Sequence, residues 1–129
     1  VWLGIVHSMS HQIGGTFGIP HGCGNAILMP NVIRYNSKET EKYTDLAQMI
    51  GKSTAEEFAQ AVSDLRQSVG VVGSLKEYGI DQKEWEAKLD TLTENAMKDP
   101  CTLFNPRKPK FEEIKAILQA CYEGTVVDF

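Results

Sequence analysis

Apolar residues recur along most of the chain at the spacing that puts them on one face of an α-helix. The first such run is read from the N-terminus to about residue 12, with Trp2, Ile5, Met9 and Ile13 as its apolar positions. Leu3 shares a side with His7 and His11. The run opens with no capping residue before it, as the middle of a helix does, so the chain is expected to begin inside a larger protein. Gly14 and Gly15 are expected to end this helix, and residues 16–20 read as loop from their Gly and Pro content. A second helix spans about residues 22–35. Its apolar positions, Ala26, Ile27, Leu28, Met29, Val32 and Ile33, lie nearly all round it, which predicts deep burial; Pro30 removes one backbone donor and should bend it.

A third helix covers about residues 39–50, with Tyr43, Leu46, Ala47 and Ile50 as its stripe and Gly51 as its stop. Ser53 and Glu56 read as a capping box, the hydroxyl taking a backbone N–H three residues on and the carboxylate reaching back. The fourth helix follows to about residue 69 through Phe58, Ala61, Val62, Leu65 and Val69. Residues 75–80 read as a turn anchored by Leu75. Asp81 caps a fifth helix that runs to about residue 98 with Trp85, Leu89, Leu92 and Ala96 inward. Three prolines make residues 99–109 irregular. A sixth helix spans about residues 110–122 through Phe111, Ile114, Ile117, Leu118 and Cys121, and Gly124 stops it. No alternation of useful length has the period of a strand. The prediction is one all-α domain over residues 1–129, a helical bundle of about six helices joined by short loops.

The length suits one modest core. A net charge of −4 argues against a nucleic-acid groove, which needs a basic stripe. Cys23, Cys101 and Cys121 are odd in number and form no C-x-x-C pair, which fits a reducing cytoplasm better than a disulfide scaffold. No apolar run reaches membrane-spanning length and no signal peptide is visible. The expectation is a cytoplasmic protein with neither nucleic acid nor membrane as partner.

All three histidines, His7, His11 and His21, fall inside fifteen residues. His7 and His11, four apart, share a helix face, and the loop is long enough to fold His21 back toward His7. Such a set can present imidazole nitrogens to one divalent iron or zinc ion. Histidines satisfied by backbone carbonyls, or lying at the surface, are the alternative. The zinc-protease pattern H-E-x-x-H is not present, because Ser8 stands where its Glu would be. Gly14-Gly15-x-x-Gly18 follows a helix and is no dinucleotide fingerprint. Cys23 beside His21 invites a thiolate-ligand reading, against which a small buried residue is preferred. Gly22 and Gly24 are read as allowing close approach of the second helix, or as cap residues. Arg107 is expected to pair with a carboxylate that fixes the Pro-rich loop, or else to lie solvated.

Longer patterns go further. Gly4-x-x-His7-x-x-x-His11-x-x-Gly14, then Pro20-His21-Gly22, then Ala26-Ile27-Leu28-Met29-Pro30-x-Val32-x-x-Tyr35-Asn36 resembles the signature of the iron-containing (group III) alcohol dehydrogenases. Asp99-x-Cys101-Thr102-x-x-Asn105-Pro106-Arg107 resembles that family's second C-terminal motif. The likeness covers nearly the whole chain. It extends to the alcohol dehydrogenase half of bifunctional aldehyde–alcohol dehydrogenases and to stand-alone butanol, propanediol and lactaldehyde-reducing members. It implies the C-terminal part of a dehydroquinate synthase-like helical domain, truncated at its N-terminus, with the nucleotide-binding domain absent.

In that family an Asp and three His hold one metal. The Asp and the first His come from an earlier D-x-x-x-H helix, which this sequence lacks, and the last two ligands match His7 and His21. His11 matches a residue that contacts substrate or relays a proton, and is the candidate catalytic residue. Cys101 matches a position lining the substrate pocket. The resemblance implies Fe(II), with Zn(II) as the second choice, and NAD(P) bound mainly by the missing domain. No cofactor-binding residue is assigned here. The substrate implied is a short primary alcohol or its aldehyde, and the isolated chain is expected to be inactive. A second reading, of another class, is a non-catalytic helical interaction or dimerisation module that forms a homo-oligomer through surface left by the missing domain. A third is a fragment of a related zinc-dependent polyol dehydrogenase; Asn105-Pro106-Arg107 favours the iron group.

Overall fold

The computed structural model describes residues 3–129, so Trp2, read as one of the apolar positions of the first helix, lies outside the described residues. Seven α-helices follow one another: α1 (Ile5–Phe17), α2 (His21–Asn36), α3 (Lys42–Met49), α4 (Ala55–Ser68), α5 (Leu75–Tyr78), α6 (Gln82–Lys98) and α7 (Phe111–Glu123). A 3-10 turn (Pro100–Phe104) lies between the last two, and no strand occurs among the described residues. The all-α prediction stands. The additional helix is α5, a single helical turn where the sequence reads as a turn anchored by Leu75. Ser74 caps it through the Glu77 N–H, and Leu75 is fully buried.

α2 is the central element and packs against α1, α4 and α7, while α6 closes the other side of α1 and α7. Its all-round apolar pattern is borne out in part: Ile27, Leu28, Val32 and Ile33 are buried, with Pro30 and Tyr35, but Ala26 is half-buried and Met29 is exposed. Ile5, Met9 and Ile13 of α1 meet Leu28 of α2, Leu92 of α6 and Ile114, Ile117 and Leu118 of α7 in one core. Trp85 stacks on Tyr122 with centroids 5.0 Å apart, and its indole N–H donates to Gln119 Oε1 at 2.9 Å. The hydrogen bond offsets the cost of taking the indole N–H out of water.

Several boundaries differ from the sequence reading, each for a local reason. Gly14 and Gly15 do not end α1. The helix runs on to Phe17, which packs against Trp85, and stops at Gly18, where φ is +69°. Burial of Ile13 and the packing of half-buried Phe17 against the core outweigh the roughly 1 kcal/mol that each helical glycine costs. Nor does α1 start at the terminus: Gly4 is its N-cap. The capping box of α4 is shifted by one, with Thr54 accepting from the Glu57 N–H and Glu57 reaching back to the Thr54 N–H. Asp81 caps α6 as expected. The apolar stripes of α3 and α4 are less covered than predicted: Leu46, Ile50, Leu65 and Val69 are exposed, and only Ala47 and Ala59 are buried.

Candidate functional site

Helix α1 carries His7 and His11 one turn apart, and a three-residue connection delivers His21 as the first residue of α2. The close packing that makes this work centres on Gly24. A Cβ there would lie 3.0 Å from Ser10 Oγ and 3.2 Å from Ile13 Cδ1. Gly22 faces open space, so the close-approach role belongs to Gly24.

The three imidazoles converge. Ring centroids are 5.1 Å apart for His7 and His21, 5.7 Å for His11 and His21, and 6.1 Å for His7 and His11. His11 and His21 are exposed and His7 is half-buried, so the cluster sits at the molecular surface. Of the alternatives left open by spacing, histidines satisfied by backbone carbonyls do not fit, while the exposure of His11 and His21 agrees with a surface position. The His21 ring faces a side chain, with Nδ1 3.2 Å from Ser10 Oγ. The Ser10 hydroxyl also lies 3.4 Å from the His21 carbonyl oxygen. Donating there, it accepts from Nδ1–H and leaves the Nε2 lone pair of His21 unengaged. Burial and the neighbouring His21 and His11 rings hold His7 below the usual imidazole range, against the opposing pull of Asp99. These effects favour the neutral form of His7, which has a lone pair to give.

A residue not singled out from the sequence completes the corner. Asp99, the cap between α6 and the 3-10 turn, accepts from His11 Nδ1 at 2.8 Å through Oδ2 and from the Cys101 N–H at 2.9 Å through Oδ1. Burial alone would raise its carboxyl; the His11 and Cys101 hydrogen bonds outweigh that and keep it below the usual carboxylate range. Burial, then the hydrogen bond to Asp99 and its charge, push the Cys101 thiol up. The signal for Asp99 was its place at the head of the second motif.

The loop bearing Asp99 and Cys101 is fastened to α1 by buried polar contacts. Thr102 Oγ1 donates to the Ala96 carbonyl at 2.6 Å and takes the Ser8 hydroxyl at 2.7 Å. Asn105 uses its whole amide. Oδ1 accepts from the Ile5 N–H and Asn36 Nδ2, while Nδ2 donates to Asn36 Oδ1 and the Arg107 carbonyl. Arg107 pairs with Glu113 at 3.0 Å, lies 3.9 Å above the Tyr35 ring and donates to the Tyr35 and Phe129 carbonyls. It fixes the Pro-rich loop, as the carboxylate-pairing expectation had it.

A cavity of about 410 Å³ opens beside His7. Met29, Val32, Ile33, Leu46, Phe58 and Phe104 form its apolar wall, with Asn36, Tyr43 and Asn105 among its polar lining. Cys101 is not in this wall; it sits with His11 and Asp99. Cys23 is half-buried and its thiol is pushed up by burial, which suits a packing residue.

Comparison with known proteins follows the same lines. The model of the Fe-containing alcohol dehydrogenase family, C-terminal, matches residues 1–122. The NADPH-dependent butanol dehydrogenase of Clostridium saccharobutylicum is 43% identical over 134 residues, covering 98% of this chain and 34% of that protein. The bifunctional aldehyde-alcohol dehydrogenase of Escherichia coli is 33% identical over 147 residues, covering 95% and 16%. The structure of the iron-containing alcohol dehydrogenase from Thermococcus thioreducens matches at a TM-score of 0.86 with 32% identity, over 95% of this chain and 32% of that one. That of a 1,3-propanediol oxidoreductase matches at 0.81 with 34% identity, over 93% and 33%. The chain thus spans about a third of the length of the butanol dehydrogenase that it resembles. Motif, fold and relatives agree, and the chain belongs to the Fe-containing alcohol dehydrogenase family, whose C-terminal domain it represents.

Proposed function

We propose that this chain supplies half of the metal site and the proton-handling residue of an enzyme that interconverts short primary alcohols and aldehydes. The observation that carries the reading is the convergence of three imidazoles at one surface corner, with centroid separations of 5.1 to 6.1 Å. The donor chemistry fits Fe(II), and Zn(II) as second choice: His7 is biased toward its neutral form and His21 has Nε2 unengaged. His7 and His21 belong to no three-ligand set among the described residues; on this reading the remaining ligands are contributed by the part of the enzyme that precedes this domain in the family. When bound, the metal ion lends Lewis acidity toward the substrate oxygen and the nicotinamide carries the hydride, chemistry that no side chain here supplies.

The chain's own residues do the rest. Asp99 accepts the His11 Nδ1–H, which fixes the tautomer and leaves Nε2 to take a hydroxyl proton in oxidation or return one in reduction. The Asp99 carboxylate then stabilises the imidazolium that forms. The apolar cavity beside His7 takes the alkyl chain, and its volume of about 410 Å³ is ample for a short one. Cys101, alongside His11, borders the reacting end of the substrate.

A chimera tests this reading. The chain replaces the matching segment of the butanol dehydrogenase, and NADPH-dependent butanal reduction is measured. Retained activity that is lost on His7→Ala or His21→Ala supports the proposal. A chimera that folds and binds NADPH but reduces no aldehyde counts against it. The 129 residues alone are expected to reduce no nicotinamide cofactor with alcohol; turnover by the purified chain would contradict that.

A further inference from the structure

We infer that His11, Asp99 and Cys101 form a second cation site, suited to a thiophilic divalent ion such as Zn(II), adjacent to the His7–His21 pair but with a different ligand set. Their ligand atoms all lie within 4.8 Å of one another, the only such set of three among the described residues. Imidazole, carboxylate and thiolate are the three donor types that zinc takes, and tetrahedral zinc holds its ligand atoms ~3.5 Å apart. Nδ1 of His11 and Oδ2 of Asp99 are already closer than that, at 2.8 Å. The remaining closure is ~1 Å, within the reach of a side-chain rotation.

The set is built, not incidental. The Cys101 N–H fixes Asp99 Oδ1, which aims Oδ2 at His11. The buried Thr102 hydroxyl, bonded to Ala96 and Ser8, holds the 3-10 turn against α1. Access is open from one side, since the His11 side chain is 44% exposed while Asp99 is 11% exposed. Three protein ligands leave a coordination position for water.

Binding breaks the Cys101 S–H bond and forms a metal–sulfur bond, with one proton going to solvent. The His11 proton moves from Nδ1 to Nε2, and the Nδ1 lone pair goes to the metal. Occupancy therefore removes the His11–Asp99 hydrogen bond and blocks Nε2 as a proton acceptor. The consequence is inhibition by zinc. That consequence rests on the proton-handling role proposed above; the site itself does not.

The test is anaerobic Co(II) titration of the chain, read as thiolate-to-cobalt charge-transfer absorption and followed by Zn(II) displacement. The absorption is expected in the native sequence and in the His7→Ala/His21→Ala double variant. It is expected to vanish in Cys101→Ser, and the affinity is expected to fall at least ~10-fold in Asp99→Asn. Circular dichroism of each variant checks the fold, and His11→Ala, an exposed position, gives an independent loss of signal. No charge-transfer absorption in the native chain overturns the proposal. So does absorption that survives Cys101→Ser and is lost in Cys23→Ser. Failure of the His7–His21 reading shows separately, as a thiolate-only signal with no second class of bound cobalt.

Discussion

Replacing Asn105 by Ala is expected to detach the motif-bearing loop from α1. The side chain is 2% exposed, and all four hydrogen-bonding positions of its amide are filled. Truncation strands two buried groups, the Ile5 N–H and Asn36 Oδ1, and removes a donor from the Arg107 carbonyl. A stranded buried group costs about 1–3 kcal/mol, so the two together cost about 2–6 kcal/mol. Urea unfolding reads this directly, and with a slope of about 1–3 kcal/mol per molar the midpoint falls by about 2 M. Asn105→Asp separates hydrogen bonding from volume. It keeps the size but turns two donors into acceptors facing Asn36 Oδ1 and the Arg107 carbonyl, so it is expected to be at least as damaging. A midpoint drop under ~0.5 M in both variants would refute the role given to this amide.

Two glycines in the same helix region predict opposite signs. A Cβ at Gly4 would lie 2.7 Å from Asn105 Oδ1, so Gly4→Ala should destabilise by about 1–3 kcal/mol in thermal melts. Gly15 meets nothing within 4 Å in the interior of α1, so Gly15→Ala should stabilise by up to ~1 kcal/mol. Burial would raise Glu113, but the Lys110 N–H, the Tyr35 hydroxyl and Arg107 outweigh it and hold its carboxyl below the usual range. Its ionised form therefore stabilises the fold above pH ~4.3, and this contribution is lost as pH falls through the depressed value. Acid unfolding should begin at higher pH when Arg107→Met removes one of those causes; an unchanged acid limb would contradict the assignment.

The fold was legible wherever burial followed local pattern. α6 and α7 show this, with Trp85, Leu89, Leu92, Ile114, Ile117 and Leu118 all on the predicted inward face. Legibility failed where tertiary contact overrode propensity. Two adjacent glycines read as a stop, yet Phe17 packing on Trp85 carried α1 past them. It failed again at Ser53 and Thr54, since both hydroxyls suit a cap and only backbone geometry selects Thr54. For the site, the His7/His11/His21 cluster followed from helical spacing and loop length. The Asp99–His11 contact joins residues 88 positions apart, and no periodicity predicts such a pairing. Asn105 was part of a recognised motif, but its work as a buried four-way hydrogen-bonding hub needed the fold.

The most direct test of the account is the anaerobic binding of Fe(II) and Zn(II) to this chain beside His7→Ala and His21→Ala, with Cys101→Ser as the background that silences the neighbouring thiol. The account predicts metal binding in that background that falls sharply in each histidine variant while circular dichroism stays unchanged. Binding that is indifferent to both substitutions would contradict the assignment of His7 and His21 as the chain's share of the metal site.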